Sequence, residues 1–309
     1  MPELPEVETV RRQLAVKLAG AWFVAVVQAE PAMLLDCTLE ELKQTLPGKR
    51  LGSITRIGKF LVVPLETGDG LADTRDQAGD EPGKFAAADM QEVYLTLHLG
   101  MTGQLLVFRR ERGTPAAESK TEVVYPHTRF AFDLRGPDGA ELRLEFRDTR
   151  KFGRLHLTVG APPERLARLG PDAWEGEWDV AYLQKRMQGR RVPLKSFLLD
   201  QRNLAGIGNI YADESLWWAG LSPLRPAGSL AEEEVSRLAI ELRRRLDEGI
   251  RLLGCSISDF VDTQGNKGRF QEWLRVYGKQ GQRCLRCGVM LERVVISGRG
   301  TTYCPGCQT

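Results

Sequence analysis

Apolar residues recur at helical spacing near the start of the chain, at Val7, Val10, Leu14 and Leu18, with Pro5 and acidic residues ahead of them and Gly20 behind. This predicts an amphipathic helix from Pro5 to Lys17. From Trp22 the period shortens. Runs rich in β-branched and aromatic residues follow at 22–28, 51–57, 60–65, 93–99, 104–108, 129–134, 141–146 and 154–158, separated by turn signals such as Gly136-Pro137-Asp138-Gly139. Many short strands with no helices between them predict an antiparallel sandwich. The stretches 67–90 and 109–128 read as long, mobile loops.

Beyond about residue 160 the pattern is helical. Val235, Leu238, Leu242, Leu246, Ile250 and Leu253 form one stripe, predicting a helix from Ser229 to Leu253 with Ser229 and Glu232 as a capping box and Gly254 at its end. A second helix is expected from Asn209 to Ala219, closed by Gly220. Pro162, Pro163, Gly170, Pro171 and Gly176 mark a domain boundary within 159–178. No internal repeat is evident.

With 309 residues, 42% hydrophobic and 27% charged, 32 glycines and 16 prolines, the chain suits a folded protein of about two domains and excludes disorder or a collagen-like repeat. No apolar run reaches the roughly 20 residues that span a bilayer. Arg11, Arg12 and Lys17 interrupt any signal-peptide core, so a cytoplasmic location is expected. The net charge of +2 hides an uneven distribution. Residues 190–309 hold 18 Lys/Arg against 13 Asp/Glu, whereas 66–92 hold eight acids against two bases. Outside that acidic segment both halves are basic, which suits a polyanion partner or a solvated basic face.

Four of the six cysteines form Cys284-x-x-Cys287 and Cys304-x-x-Cys307. Each pair can aim two sulfurs at one ion, and the sixteen residues between allow a hairpin that returns the second pair. That is four-thiolate zinc spacing. Two disulfides are the alternative, disfavoured without a secretion signal. Cys37 and Cys255 read as ordinary buried thiols.

Two further motifs carry possible chemistry. Methionine before a small residue is commonly removed, which would leave Pro2 with a secondary amine able to attack an electrophilic carbon and form an iminium electron sink. Glu3 beside it suits a general acid or base. Equally, Pro commonly follows Met, and Glu3 and Glu6 favour a helix N-terminus whether or not they react. Gly206-Ile207-Gly208-Asn209 precedes a helix, so free amides and the positive helix end would meet an anion such as phosphate; a plain Gly-rich turn is the alternative. Ser297-Gly298-Arg299-Gly300 would present Arg299 on the tip of the cysteine hairpin.

The opening MPELPEVETV, HLGMTGQL (98–105), RKFG (150–153), GIGNIYADESL (206–216) and the terminal cysteine pairs together resemble the bacterial formamidopyrimidine-DNA glycosylases, in order and over the whole chain. The resemblance implies an α+β chain: an N-terminal antiparallel β-sandwich with an N-terminal helix over 1–160, a helix-two-turn-helix domain over 161–277, and a four-cysteine zinc finger hairpin over 278–309. It implies that Pro2 is the nucleophile on the sugar C1′, that Glu3 is the general acid/base, and that Lys59 is the catalytic lysine. His98 and Lys195 would line the site. Asn209 and Arg299 would hold phosphates beside the lesion, and Met101, Arg150 and Phe152 would fill the gap left by the extruded base. One structural zinc would sit on Cys284, Cys287, Cys304 and Cys307, and residues 255–270 would close over the base. Two features depart from the family pattern: the acidic segment 67–90 is long, and Cys255 stands where a small hydroxylated residue is expected.

These parts imply a bifunctional glycosylase and abasic-site lyase acting on oxidised purines, 8-oxoguanine and formamidopyrimidines, in damaged double-stranded DNA. A monomer with no membrane attachment, working in the bacterial cytoplasm and nucleoid, is expected. An endonuclease VIII-like activity on oxidised pyrimidines is the nearest alternative; Leu4 and the 98–105 and 150–153 motifs favour purines. A non-catalytic zinc-dependent DNA-binding protein would need neither a free Pro2 amine nor Lys59, and a tautomerase using Pro2 as base would leave the cysteine hairpin unexplained.

Overall fold

The computed structural model describes residues 1–67, 91–109 and 125–309. The loops expected at 67–90 and 109–128 lie outside the described residues over 68–90 and 110–124. Contacts divide the chain into two compact units, one of residues 1–2, 6–167 and 256–268, the other of residues 3–5, 168–255 and 269–309.

Helix α1 (Leu4–Lys17) opens the chain, with Pro5 in its first turn, where a missing N–H costs nothing. Its stripe of Val7, Val10, Leu14 and Leu18 is at most 4% exposed. Burying each such side chain contributes roughly 1.5–3 kcal/mol. There follow β1 (Trp22–Ala29), β2 (Leu34–Leu35), α2 (Leu39–Thr45), β3 (Lys49–Leu51), β4 (Thr55–Ile57), β5 (Phe60–Thr67), β6 (Val93–His98), β7 (Gln104–Arg109), β8 (Thr128–Arg135), β9 (Glu141–Arg147) and β10 (Arg154–Val159). Among the described residues these strands form one sheet in the order β2-β10-β6-β5-β3-β1-β8-β9-β7, with β4 added on β5. The path folds over, so that Leu61, Leu97 and Leu155 from one arm and Phe23, Phe130 and Phe146 from the other share one core with Leu14 of α1.

One expected strand is corrected by the pairing. The run 51–57 is two strands, since Leu51 pairs with Leu65 but Thr55 pairs with Val62, leaving one residue extra opposite Pro64. Proline has no N–H for the ladder, and Gly52 instead donates its own to the Pro64 carbonyl at 2.9 Å, so the chain bulges. Every pairing among the expected strands is antiparallel, and the one parallel pairing among the described residues of the sheet involves an additional strand outside them. The two-residue β2 lies parallel to β10, and no hairpin joins these strands to impose the opposite sense.

The second unit contains α3 (Val180–Met187), α4 (Leu194–Leu199), α5 (Asn209–Ala219), α6 (Glu232–Arg251) and the hairpin β11 (Glu292–Ile296) with β12 (Arg299–Tyr303). Every residue of α5 from Ile210 to Trp217 is buried, so α5 is a core helix rather than an amphipathic one. Helix α6 buries Val235, Leu238, Leu242, Leu246 and Ile250 of the expected stripe, but it ends at Arg251, and Leu253, in left-handed backbone at φ +60°, is exposed rather than part of the stripe. The helix differs at its cap as well. Its N-cap is Ala231, whose N–H donates to Glu234 Oε2 at 2.9 Å, while Ser229 closes a preceding turn by donating to the Pro226 carbonyl. Pro226 starts that turn too early for Ser229 to reach the helix. No helix among the described residues is long and apolar enough to cross a membrane.

Candidate functional site

In the second unit, the Gly206-Ile207-Gly208-Asn209 turn receives the chain's own N-terminal residues. Glu3 Oε1 accepts from the Ile210 amide at 2.9 Å and Oε2 from the Tyr211 amide at 3.3 Å, while the Leu4 N–H donates to the Gly206 carbonyl at 3.1 Å. The anion at this helix end is therefore Glu3 itself, held by first-turn amides and the positive end of α5. This corrects the expectation of free amides there. The glycine spacing now has a packing reason: a Cβ on Gly208 would lie 2.2 Å from Glu3 Cδ, and Gly206 adopts φ +108° with its missing Cβ 2.5 Å from Leu4 Cδ1. Only glycine admits the N-terminal residues this closely.

In the first unit, Pro2 is buried and Lys59 is half-buried in the Gly58-Lys59 turn between β4 and β5. A buried ionic network fixes that turn against α1. Arg56 donates from Nε to Glu8 Oε2 at 3.1 Å and from a terminal nitrogen to the Gly58 carbonyl at 3.0 Å. Glu8 also accepts from Arg11 and Arg12 at 2.7–2.9 Å. Burial pushes Glu8 up, but the three arginines outweigh it and hold the carboxyl below the ordinary glutamate value. Neither Glu8 nor Arg56 stands out in the sequence, where the available signals are a carboxylate two residues after Glu6 and an arginine three before Lys59.

His98 ends β6. Its ring lies 4.7 Å from that of Phe60, and Gly100 donates its N–H to Nδ1 at 3.1 Å. A ring that accepts at Nδ1 carries its proton on Nε2. Burial first, then the charges of Lys59 and Arg165, push its pKa from 6.5 down to about 4, so it is neutral at physiological pH. Met101 lies half-buried in the turn after β6, whereas Arg150 and Phe152 are exposed in the loop before β10, the guanidinium 4.7 Å from the phenyl centroid.

Lys195, Asn209 and Arg299 meet around the hairpin of the second unit. Ser297 and Gly298 both take positive φ, 49° and 73°, making the two-residue turn that puts Arg299 exposed at the start of β12. Lys195 is fully buried, paired with Asp213 at 2.5 Å and donating to Thr301 Oγ1 at 2.8 Å and the Gly300 carbonyl at 3.2 Å. Asn209 Nδ2 donates to the same carbonyl at 3.1 Å, and Asp213 accepts from the Thr302 amide at 3.1 Å. Burial pushes Lys195 down and Asp213 up to about 7, each pulled back by the other's charge. The only mark of Asp213 in the sequence is its place one turn after Asn209, which puts both on one face of α5.

The four terminal cysteine sulfurs lie within 4.8 Å of one another. Cys284 and Cys307 are 3.7 Å apart and Cys287 and Cys304 3.3 Å, close to the ~3.8 Å edge of a tetrahedron with metal–sulfur bonds of about 2.3 Å. Burial opposes the thiolate at Cys284, yet the Arg286 amide and the Trp217 indole, both 3.4 Å from its sulfur, help bring it down to about 6. The donor set and the N–H groups around it fit a soft divalent ion.

Three family models cover most of the chain: the formamidopyrimidine-DNA glycosylase N-terminal domain at residues 1–155, the H2TH domain of the same enzymes at 169–261, and the zinc finger found in FPG and IleRS at 281–309. The formamidopyrimidine-DNA glycosylase of Carboxydothermus hydrogenoformans is 38% identical over 308 residues, covering 100% of both chains. The crystal structure of MutM (FPG) from Thermus thermophilus is 38% identical with a TM-score of 0.77, covering 99% of this chain and 98% of that one. A Lactococcus lactis FPG variant in complex with Fapy-dG-containing DNA is 29% identical with a TM-score of 0.79, covering 100% of both. The chain belongs to the formamidopyrimidine-DNA glycosylase family.

Proposed function

We propose that this chain excises oxidised purines from duplex DNA through the Pro2 amine and then cleaves the resulting abasic site. The observation that carries this reading is the seat of the N-terminal residues, with Glu3 bonded to two α5 amides and Leu4 to Gly206. A helix terminus spent on holding residues 3 and 4 in place has a function if residue 2 must meet a substrate in a defined position. The Lactococcus lactis relative in complex with Fapy-dG-containing DNA supports damaged DNA as the ligand.

On this reading Met1 is removed. The Pro2 nitrogen attacks the sugar C1′, the C1′–base bond breaks, and the base leaves with a proton; opening of the sugar ring gives an iminium, with Glu3 as the acid/base. The iminium acidifies the C2′ proton. Its loss expels the 3′ phosphate, a second elimination expels the 5′ phosphate, and a one-nucleotide gap remains. Lys59 supplies a cation to the departing groups, and His98, neutral with its proton on Nε2, offers a donor that takes no part in proton uptake above pH 4. Asn209 and Arg299 hold backbone phosphates, Lys195 supports them from beneath, and Met101, Arg150 and Phe152 occupy the space vacated by the base. Cys284, Cys287, Cys304 and Cys307 hold one zinc ion, which supplies folding energy to the hairpin and no chemistry. This assigns catalysis to residues 1–160, DNA binding to 161–277 and the finger to 278–309, in a monomer acting in the bacterial cytoplasm.

Borohydride reduction of the complex with a duplex bearing one 8-oxoguanine tests the nucleophile. A stable adduct mapping to Pro2 is expected, absent when Met1 is retained. An adduct on a lysine, with Pro2 unmodified, overturns the assignment.

A further inference from the structure

Two loops of the first unit carry the side chains assigned above to the vacated base position: 99–103, with Met101, and 148–153, with Arg150 and Phe152. Their backbones touch. Gly100 takes φ +70°, and a Cβ there would lie 2.5 Å from the Gly153 nitrogen and 2.6 Å from the Phe152 carbonyl carbon. One carboxylate with 0% exposure joins them. Asp148 Oδ1 accepts from the Thr102 hydroxyl and from the Arg150 amide, the latter at 3.2 Å, and Oδ2 accepts from the Gly153 amide at 2.8 Å. The Arg150 amide also reaches Thr102 Oγ1 at 3.3 Å. The main chain of Asp148 is itself pinned, donating to the His127 carbonyl at 2.9 Å and accepting from Arg129 Nε at 2.8 Å. Oδ1 thus takes donors from both loops and Oδ2 one from the second, and a buried carboxylate is costly to leave without them.

We propose that Asp148 and Thr102 form a latch that positions the wedge, holding Met101 in register with Arg150 and Phe152 before DNA arrives. The inference rests on the reading that these three side chains replace the extruded base. Asp148, fully buried, is a positioning residue. Side chains that compensate lost stacking must enter the duplex together, and two loops ordered separately would each lose conformational freedom on binding. The latch removes that cost in advance, so its effect falls on substrates that must be unstacked. An abasic site has no base to extrude and gains little from it.

The test uses the full-length zinc-loaded enzyme in single-turnover reactions on an 8-oxoguanine duplex and on a preformed abasic site, with 2-aminopurine beside the lesion reporting extrusion. In Asp148→Asn, an amide oxygen kept on the Gly153 N–H leaves the amide nitrogen facing the Arg150 N–H, donor against donor. Thr102→Val removes the hydroxyl at nearly constant volume, and Thr102→Ser restores it. Asp148→Asn and Thr102→Val are expected to slow 8-oxoguanine excision and the extrusion signal by roughly tenfold, cleavage of the abasic site by about twofold at most, with Thr102→Ser close to wild type. If Asp148→Asn fails to fold, Thr102→Val decides. Equal loss on both substrates, or wild-type excision by Thr102→Val, overturns the latch. The combined Met101→Ala and Phe152→Ala variant separates the two levels: selective loss of 8-oxoguanine excision there, without it in Thr102→Val, removes the latch and leaves the wedge, whereas equal loss or none removes the wedge and the latch with it.

Discussion

At the scale of single residues, His98 shows how much of a site's chemistry lies in contacts that a sequence does not display. Its place in the 98–105 motif makes it a candidate, but its protonation state follows from the Gly100 amide on Nδ1, the burial of its ring and the cations around it. The consequence for stability has a definite sign. Above pH 6.5 the ring is neutral folded or unfolded, and the His98 contribution is whole. As pH falls from 6.5 towards 4, only the unfolded chain gains the proton, so stability is lost, at up to about 1.4 kcal/mol per pH unit. Below pH 4 the folded ring protonates too and the loss levels off. Urea unfolding of wild type and His98→Asn at pH 7, 6 and 5 should therefore give a difference in unfolding free energy that narrows in favour of the variant as pH falls. A difference independent of pH would mean that the ring titrates normally in the folded protein.

At the scale of elements, periodicity is legible and boundaries depend on single residues the pattern does not weigh. The α1 stripe, and the α6 stripe as far as Ile250, read directly from spacing, while Leu253 falls beyond the helix and is exposed. The bulge opposite Pro64 does not, because it depends on which strand pairs with the run 51–57. The α6 cap shifts from Ser229 to Ala231 because Pro226 starts its own turn, leaving Glu234 as the carboxylate that meets the cap N–H. The cysteine spacing is legible because each Cys-x-x-Cys turn sets two sulfurs side by side locally, and all four lie within 4.8 Å of one another. The finger also has partners the spacing does not reveal: Lys195, Asn209 and Asp213 all bond to Gly300–Thr302. One zinc per chain is expected by metal analysis. Cys304→Ser should lose it and raise amide exchange across 281–309 and at the Thr302 contact on α5, while the β1–β10 sheet keeps its protection. A wild-type protein without zinc, or a variant with unchanged exchange, would show that the finger holds itself together by packing alone.

At the scale of the whole molecule, the motifs that point to the family lie far apart in the chain, and what the sequence leaves hidden is which of them meet. The 206–216 motif reads as a phosphate seat and proves to seat Glu3, because a contact between residues 3 and 210 has no local signature. On the proposed reading, with those amides taken, phosphate contacts from this part of the chain fall more heavily on side chains, and residues 190–309 carry a net +5 that suits such contacts. Binding of any DNA should then weaken steeply with salt, since each phosphate contact made by a cation releases counterions. Arg299, exposed at the head of β12, should account for about 0.9 of the log–log slope, and Arg299→Ala should weaken damaged and undamaged duplex alike. Asn209 is neutral, so Asn209→Ala should lower affinity with little change of slope, and part of its effect should come from the lost bond to the Gly300 carbonyl, next to Arg299. Fluorescence anisotropy from about 50 to 200 mM salt distinguishes the two. An Arg299→Ala protein whose slope matches wild type would place that guanidinium away from the phosphates, and the basic half of the chain would then meet DNA by another face.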